Sequence, residues 1–258
     1  MTLFRGAAYL LRGLRLIREP GIRLYAVVPL LINGVLFLAL LIYLAMRIDT
    51  LVNAVTPDLP DWLQWLQWLI WVVAAGAALI LSFFAVSLLA NLIAAPFNEA
   101  LAERVEHFLA GEREDADGSP WYHGMIGALV NEARKLGYFL VRALPLLLLY
   151  LIPGVNVAAP FLWLVFSAWM LAVEYTDYPM GNNGVAFDTQ RRVLARHRGL
   201  ALGFGGAVLG LTAVPLLNII IMPAAVAGAT AMWVERLHAT AAVPAAPRPD
   251  ALSDRRPQ

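Results

Sequence analysis

Cysteine is absent from the 258 residues, which excludes disulfides and thiolate metal sites and leaves the redox compartment unreadable. Charge is scarce. Asp, Glu, Lys and Arg make up 14% of the chain, against about 25% in a soluble domain. The formal net charge is only +1, so nothing overall favours nucleic acid as a partner. The four histidines, His107, His123, His197 and His238, show no metal-ligand spacing such as H-E-x-x-H. No G-x-S-x-G elbow and no G-x-x-x-x-G-K-[ST] phosphate loop occurs. An enzyme, a resident metal, a cofactor and nucleotide hydrolysis by this chain are therefore not expected. No Asp, Glu, His, Lys or Arg lies mid-span in the long apolar runs, which removes the usual intramembrane proton relay.

Apolar sequence is what the chain has in excess: 60% of its residues are hydrophobic and its mean hydropathy is +0.69. Four uncharged runs hold much of that excess, with a polar middle segment separating the first two from the last two. One integral membrane unit is expected over 1–238, followed by a disordered tail over 239–258 rich in Ala, Pro and Arg. No cleavable leader is expected, because the first long apolar run starts only at Leu24 and is too long for an h-region.

In order, residues 3–18 read as an amphipathic helix. Arg5, Arg12, Arg15 and Arg18 fall on one side and Leu3, Leu10, Leu14 and Ile17 mostly opposite, which suits a helix lying in the headgroup layer. Glu19-Pro20-Gly21 ends it. Residues 24–46 are uncharged and long enough to span a bilayer, with Pro29 and Asn33 inside. A short loop follows over 47–61. Trp62, Trp65, Trp68 and Trp71 then recur every third residue and mark an interface. A second crossing is expected over 62–95. Ala95-Pro96-Phe97-Asn98 leads into a polar segment, 97–142, read as a cytoplasmic helical bundle broken at Gly111.

Two later runs, 143–173 and 199–234, are each interrupted at mid-length: Pro153-Gly154-Val155-Asn156 then Pro160 in one, Pro215-Leu216-Leu217-Asn218 then Pro223 in the other. Each arm is shorter than the roughly 20 residues a crossing needs. Both are read as re-entrant hairpins, forming an internal repeat in which Pro153 and Pro215 correspond. Polar backbone at membrane depth is tolerated where it is buried in protein or lines a wet cavity, so the tips, with Asn156 and Asn218, are candidates for a polar path. Between the hairpins, Glu174–Pro179 reads as a connector and Asp188 as a helix N-cap. Gly199, Gly203, Gly206 and Gly210 fall on one helix face, where small residues allow close backbone contact.

The fold class that results is an all-α integral membrane protein: two transmembrane helices, two half-penetrating hairpins, an N-terminal amphipathic helix and a cytoplasmic bundle. Of the 19 Lys and Arg, only Arg47 lies in the loop after the first crossing. The positive-inside rule therefore puts both termini in the cytoplasm. Half-depth hairpins cannot line a complete pore alone, so a homo-oligomer among membrane lipids is expected.

The Gly21-Ile22-Arg23 tripeptide offers chemistry. Glycine lets backbone N–H groups approach a ligand, a helix start supplies unpaired donors and a positive dipole end, and Arg23 adds a planar cation. That set suits a tetrahedral oxyanion, although a plain structural turn fits the tripeptide as well.

Several stretches stand out in order: Gly21-Ile22-Arg23-Leu24 with Pro29–Asn33, Asp61–Leu66, Ala94–Asn98, Tyr175–Pro179, Gly203-Phe204-Gly205, and Pro223–Thr230 with the Pro-x-x-Asn tip. With them the chain resembles the CysZ family of inner-membrane sulfate permeases over about residues 3–237. The resemblance implies sulfate uptake across the bacterial inner membrane for assimilation and cysteine synthesis. It also implies sulfate binding at Gly21, Ile22 and Arg23, which match a family Gly-Leu-Arg motif. Leu24 stands where a second arginine is often found, so either affinity is lower here or another arginine substitutes. A membrane scaffold or assembly protein without transport is the alternative.

Overall fold

The computed structural model describes residues 2–55, 60, 65–111 and 125–241. Trp62, the acidic stretch after Gly111 and residues 242–258 of the expected tail lie outside the described residues. Those described are helical, with no strand among them: α1 (Thr2–Leu16), α2 (Arg23–Val55), α3 (Gln67–Ala110), α4 (Met125–Leu149), α5 (Ala159–Asn182), α6 (Phe187–Arg196), α7 (Arg198–Thr212), α8 (Pro215–Met232) and α9 (His238–Ala241). A π-helical turn, Trp233–Leu237, joins α8 to α9. Two compact units divide the chain, one formed by residues 1–22 and 101–258, the other by 23–100.

Among the described residues, four helical segments are long and apolar enough to cross a membrane: Arg23–Thr50, Gln67–Phe84, Ala159–Asn182 and Ile220–Ala241. In the second unit α2 and α3 meet at Phe37 and Phe83, whose rings are edge-on at 6.4 Å. Leu31, Val35, Leu38, Leu81 and Phe84 remain exposed. Apolar surface on that scale is costly in water and neutral in lipid.

The first unit is built around α1. Gly6, Tyr9, Leu10, Gly13 and Leu16, at helical spacing, form its buried face. That face packs on both α7 and α8. A Cβ at Gly6 would overlap the Leu200 carbonyl, and one at Gly13 the Ala224 carbonyl. From the other side, a Cβ at Gly203 would overlap the backbone of Leu3, and one at Gly228 that of Tyr9. Backbones this close exclude any side chain larger than hydrogen and maximise dispersion contact. Beneath them lie Phe204, Val226, Met232, Trp233 and Leu237, all essentially inaccessible. The π turn aims Glu235 back at α1, where it pairs with Arg12 and accepts a hydrogen bond from the Tyr9 hydroxyl at 3.0 Å.

The two proline-interrupted runs do break. α4 stops at Leu149, residues 150–158 form turns with Gly154 at φ +85°, and α5 begins at Ala159 with Pro160 in its first turn. The arms run antiparallel, as cross-pairs in reversed order show. Lys135 meets Glu174 and Asp177, each at 3.1 Å. The Trp169 indole N–H donates to the Tyr138 hydroxyl at 2.9 Å, and the Phe139 and Phe166 rings lie 5.6 Å apart. In the second run the break falls at residues 213–214, and Pro215 opens α8. The tips are therefore not equivalent: Pro153 lies inside a nine-residue link, and the structural counterpart of Pro215 is Pro160, each in the first turn of the returning helix. Proline suits that position because its missing N–H has no partner there anyway.

Several boundaries differ from the sequence reading. α2 continues to Val55, so residues 47–55 are helix and not loop. α3 runs through Pro96 to Ala110, where Gly111 at φ +82° turns the chain out. A single proline deletes one i→i−4 bond without ending the ladder. Among its described residues, the polar segment 97–142 therefore forms no separate helix: it completes α3 and, from Met125, opens α4. Glu174–Pro179 is not a connector but part of α5. Its end is held by Asn183, whose amide donates to Glu106 and to the Pro179 carbonyl, both at 2.8 Å. Asp188 is not the cap of α6; Ala186 is, and Asp188 sits in the first turn, paired with Arg191 at 2.6 Å. The glycine face of α7 is half used. Gly199 and Gly203 receive α1, Gly206 and Gly210 have nothing within 4 Å, and Gly205, off that face, packs on Ala168.

Candidate functional site

The Gly21-Ile22-Arg23 tripeptide follows directly on α1. That helix runs out at Leu16 and the chain tightens through three-residue bonds, Arg18 N–H to the Arg15 carbonyl at 3.1 Å and Glu19 N–H to Leu16 at 3.0 Å. Pro20 cannot donate, and Ile22 N–H closes the turn on the Glu19 carbonyl at 2.9 Å. Ile22 is fully buried, in one core with Leu101 and Val105 from the end of α3. Its side chain therefore anchors the turn, and its N–H is already taken up by the Glu19 carbonyl. Arg23 is exposed and is the first residue of α2.

Arg104 is the contact that sequence reasoning missed. Its Nε donates to the Gly21 carbonyl at 3.2 Å. A Cβ at Gly21 would lie 3.4 Å from its Nη2, at the inner limit of ordinary contact. One edge of the guanidinium is thus fixed by the turn, while the side chain as a whole is exposed. A planar cation held by one edge keeps donors on the other for a bidentate anion. The only cue in the sequence was an arginine on a charged helix, 83 residues from Gly21.

The other singled-out residues lie at the tips. Asn156 is exposed in the link between α4 and α5, its N–H bonded to the Ile152 carbonyl at 3.0 Å and its carbonyl accepting from Ala159 at 3.3 Å. Asn218 lies in the first turn of α8, and its side chain lies outside what is described. No hydrogen bond or ion pair among the described residues ties Asn156 to the Gly21 turn. None of the described residues forms a group of three or more His, Cys, Asp or Glu able to hold a metal ion.

Residues 9–223 match the family described as "Sulfate transporter CysZ/Etoposide-induced protein 2.4". Among similar proteins, one named sulfate transporter CysZ from Pseudomonas fluorescens is 45% identical over 234 residues, covering 89% of this chain and 93% of its own. A protein of the same name from Pectobacterium atrosepticum is 43% identical over 233 residues, covering 90% and 85%. One from Pseudomonas aeruginosa is 41% identical over 237 residues, covering 91% and 96%. With near-full-length relatives at this identity and a match across most of its length, the chain belongs to the sulfate transporter CysZ/etoposide-induced protein 2.4 family.

Proposed function

We propose that this protein carries sulfate across the bacterial inner membrane, feeding assimilation and cysteine synthesis, along a channel- or permease-like path without nucleotide hydrolysis in this chain. The observation that carries the proposal is the near-full-length identity to proteins named sulfate transporters. The anion site is the Gly21-Ile22-Arg23 turn: Gly21 admits the ion to backbone N–H donors, buried Ile22 fixes the turn, and Arg23 supplies charge at a helix start. Arg104, bonded to Gly21, takes the part of the second arginine that Leu24 does not provide.

The α4–α5 and α7–α8 pairs are re-entrant hairpins that dip from the cytoplasmic side and line the path with their tips, Asn156 and Asn218 included. The antiparallel pairing of α4 with α5 around a proline- and glycine-containing link supports this reading. Several copies complete the pore, with both termini cytoplasmic. That orientation puts Arg23 at the exit for uptake, so the site controls release. Purified protein in liposomes is expected to take up radiolabelled sulfate. Flux equal to that of protein-free liposomes ends the proposal. Arg23→Ala is expected to raise the sulfate dissociation constant at least tenfold.

A further inference from the structure

A cavity of about 580 Å³ opens in the first unit where α4, α5, α6 and α7 meet. Arg142, Arg191, Arg192 and Arg198 line one side and no acidic residue lines any of it. Leu146, Leu162, Val165 and Leu202 are among the apolar side chains that complete the lining. The polarity follows the helices. Along α4 and α7, Arg142 and Arg198 each come one turn before Leu146 and Leu202, on the way to a hairpin tip. Along α5, which runs the other way, Leu162 and Val165 lie nearer the tip than Trp169. Charge thus gathers at the base of both hairpins and apolar surface extends toward their tips.

The arginines are held in place. The Tyr138 ring has Arg142 Cζ at 3.7 Å from its centroid and Arg191 Cζ at 4.7 Å, and its hydroxyl accepts from the Trp169 indole. Arg198 Nε donates to the Ala195 carbonyl at 3.1 Å, and Arg192 Nη2 to Thr189 Oγ1 at 2.9 Å. Asp188, paired with Arg191, is the one carboxylate that an arginine of this cluster meets among the described residues. The buried Nε–H of Arg191 has no acceptor among them. Four cations against one carboxylate call for an anion. The apolar half calls for something more than an inorganic oxyanion, which would leave that half filled with poorly bonded water.

We propose that this cavity holds one anionic phospholipid, its phosphate among Arg142, Arg191, Arg192 and Arg198 and an acyl chain along Leu146, Leu162, Val165 and Leu202. Guanidinium forks match phosphate oxygens bidentately, and basic pockets between membrane helices suit anionic headgroups. The orientation rests on the re-entrant reading above, in which the hairpin bases lie at the headgroup layer.

The test is lipid retention by the full-length protein in detergent, read by native mass spectrometry with phosphatidylglycerol and phosphatidylcholine. Wild type is expected to keep phosphatidylglycerol at least tenfold better. The Arg142→Gln/Arg198→Gln variant should bring the two lipids within twofold, while Arg15→Gln on α1 leaves the preference intact. If the double variant does not fold, Leu162→Trp fills the apolar half and should expel the lipid. Equal retention of both lipids by wild type overturns the proposal, as does unchanged retention in the double variant or in Leu162→Trp. Displacement of phosphatidylglycerol by millimolar sulfate or inorganic phosphate does so too, since it marks a free-anion site. Labelling of Asn156→Cys, in this otherwise cysteine-free chain, from the side opposite the termini would sink the re-entrant reading and leave the lipid result standing.

Discussion

Gly203 and Gly206 lie one turn apart on α7, and replacing each with alanine separates packing from propensity. At Gly203 the new Cβ would fall 2.6 Å from the Leu3 carbonyl carbon and 2.7 Å from its Cα, where ordinary contact begins at 3.4 Å. Both atoms are backbone, so no rotamer relieves the overlap, and α1 must retreat by at least about 0.8 Å in a tightly packed groove, the Leu3 carbonyl oxygen lying closer still. Overpacking of this kind costs about 1–3 kcal/mol. At Gly206 nothing lies within 4 Å, and alanine instead gains about 1 kcal/mol of helix propensity. The propensity gain is common to both variants, so the difference between them isolates the overlap at about 1–3 kcal/mol. Thermal unfolding in one detergent, at about 2–4 °C per kcal/mol for a chain of this size, should place Gly203→Ala several degrees below Gly206→Ala. Equal midpoints for the two would refute the seating of α1 against α7.

Arg104→Ala should weaken sulfate binding by about tenfold, near 1.4 kcal/mol, and Arg104→Lys should recover only part of it, since an ammonium lacks the fork that holds Gly21 and an anion at once; isothermal titration with sulfate reads both. Ile22→Ala empties a fully buried position and should cost about 2–5 kcal/mol of stability, measured by denaturant or thermal unfolding. Burial, helped by the hydrogen bond to Glu235 and only partly offset by Arg236, holds the Tyr9 hydroxyl protonated to higher pH than usual. The folded state therefore binds that proton more tightly than the unfolded chain. Its contribution is complete below the ordinary tyrosine value of about 10 and is lost as pH rises through the raised folded value. Tyr9→Phe should remove that part of the alkaline decline in stability, and a pH-independent difference between the two proteins would contradict the assignment.

Where the chain breaks was legible wherever the cause is local. Pro153-Gly154 and Pro215 stop or start helices through their own backbone chemistry, and Gly111 does so by a positive φ. Where polarity changes without such a breaker, at Arg142–Ala143 and at Val173–Glu174, the helix simply continues, and at Pro96 it continues in spite of one. A change of surroundings is not a change of backbone, and hydropathy reports only the first. Of the glycine face on α7, spacing could show that Gly199, Gly203, Gly206 and Gly210 align. It could not show that α1 covers only half of it, because that depends on a helix nearly 200 residues earlier in the chain. The tripeptide at Gly21 was readable as an anion site from residue types alone, and a family pattern pointed to a missing cation. That Arg104 reaches Gly21, and that Arg142 and Arg198 converge beside Tyr138, are facts of tertiary structure with no period or spacing to betray them.

The groove that seats α1 is made from the far end of the chain. Thr2–Leu16 is complete about 180 residues before α7 begins to emerge, a wait of roughly 10–40 s at 5–20 residues per second. For that interval the helix has only its own amphipathic character to keep it from straying, and the bilayer surface is the natural place to park. A segment translated early is thus installed late, and assembly of this protein closes like a latch whose two halves lie nearly 200 residues apart.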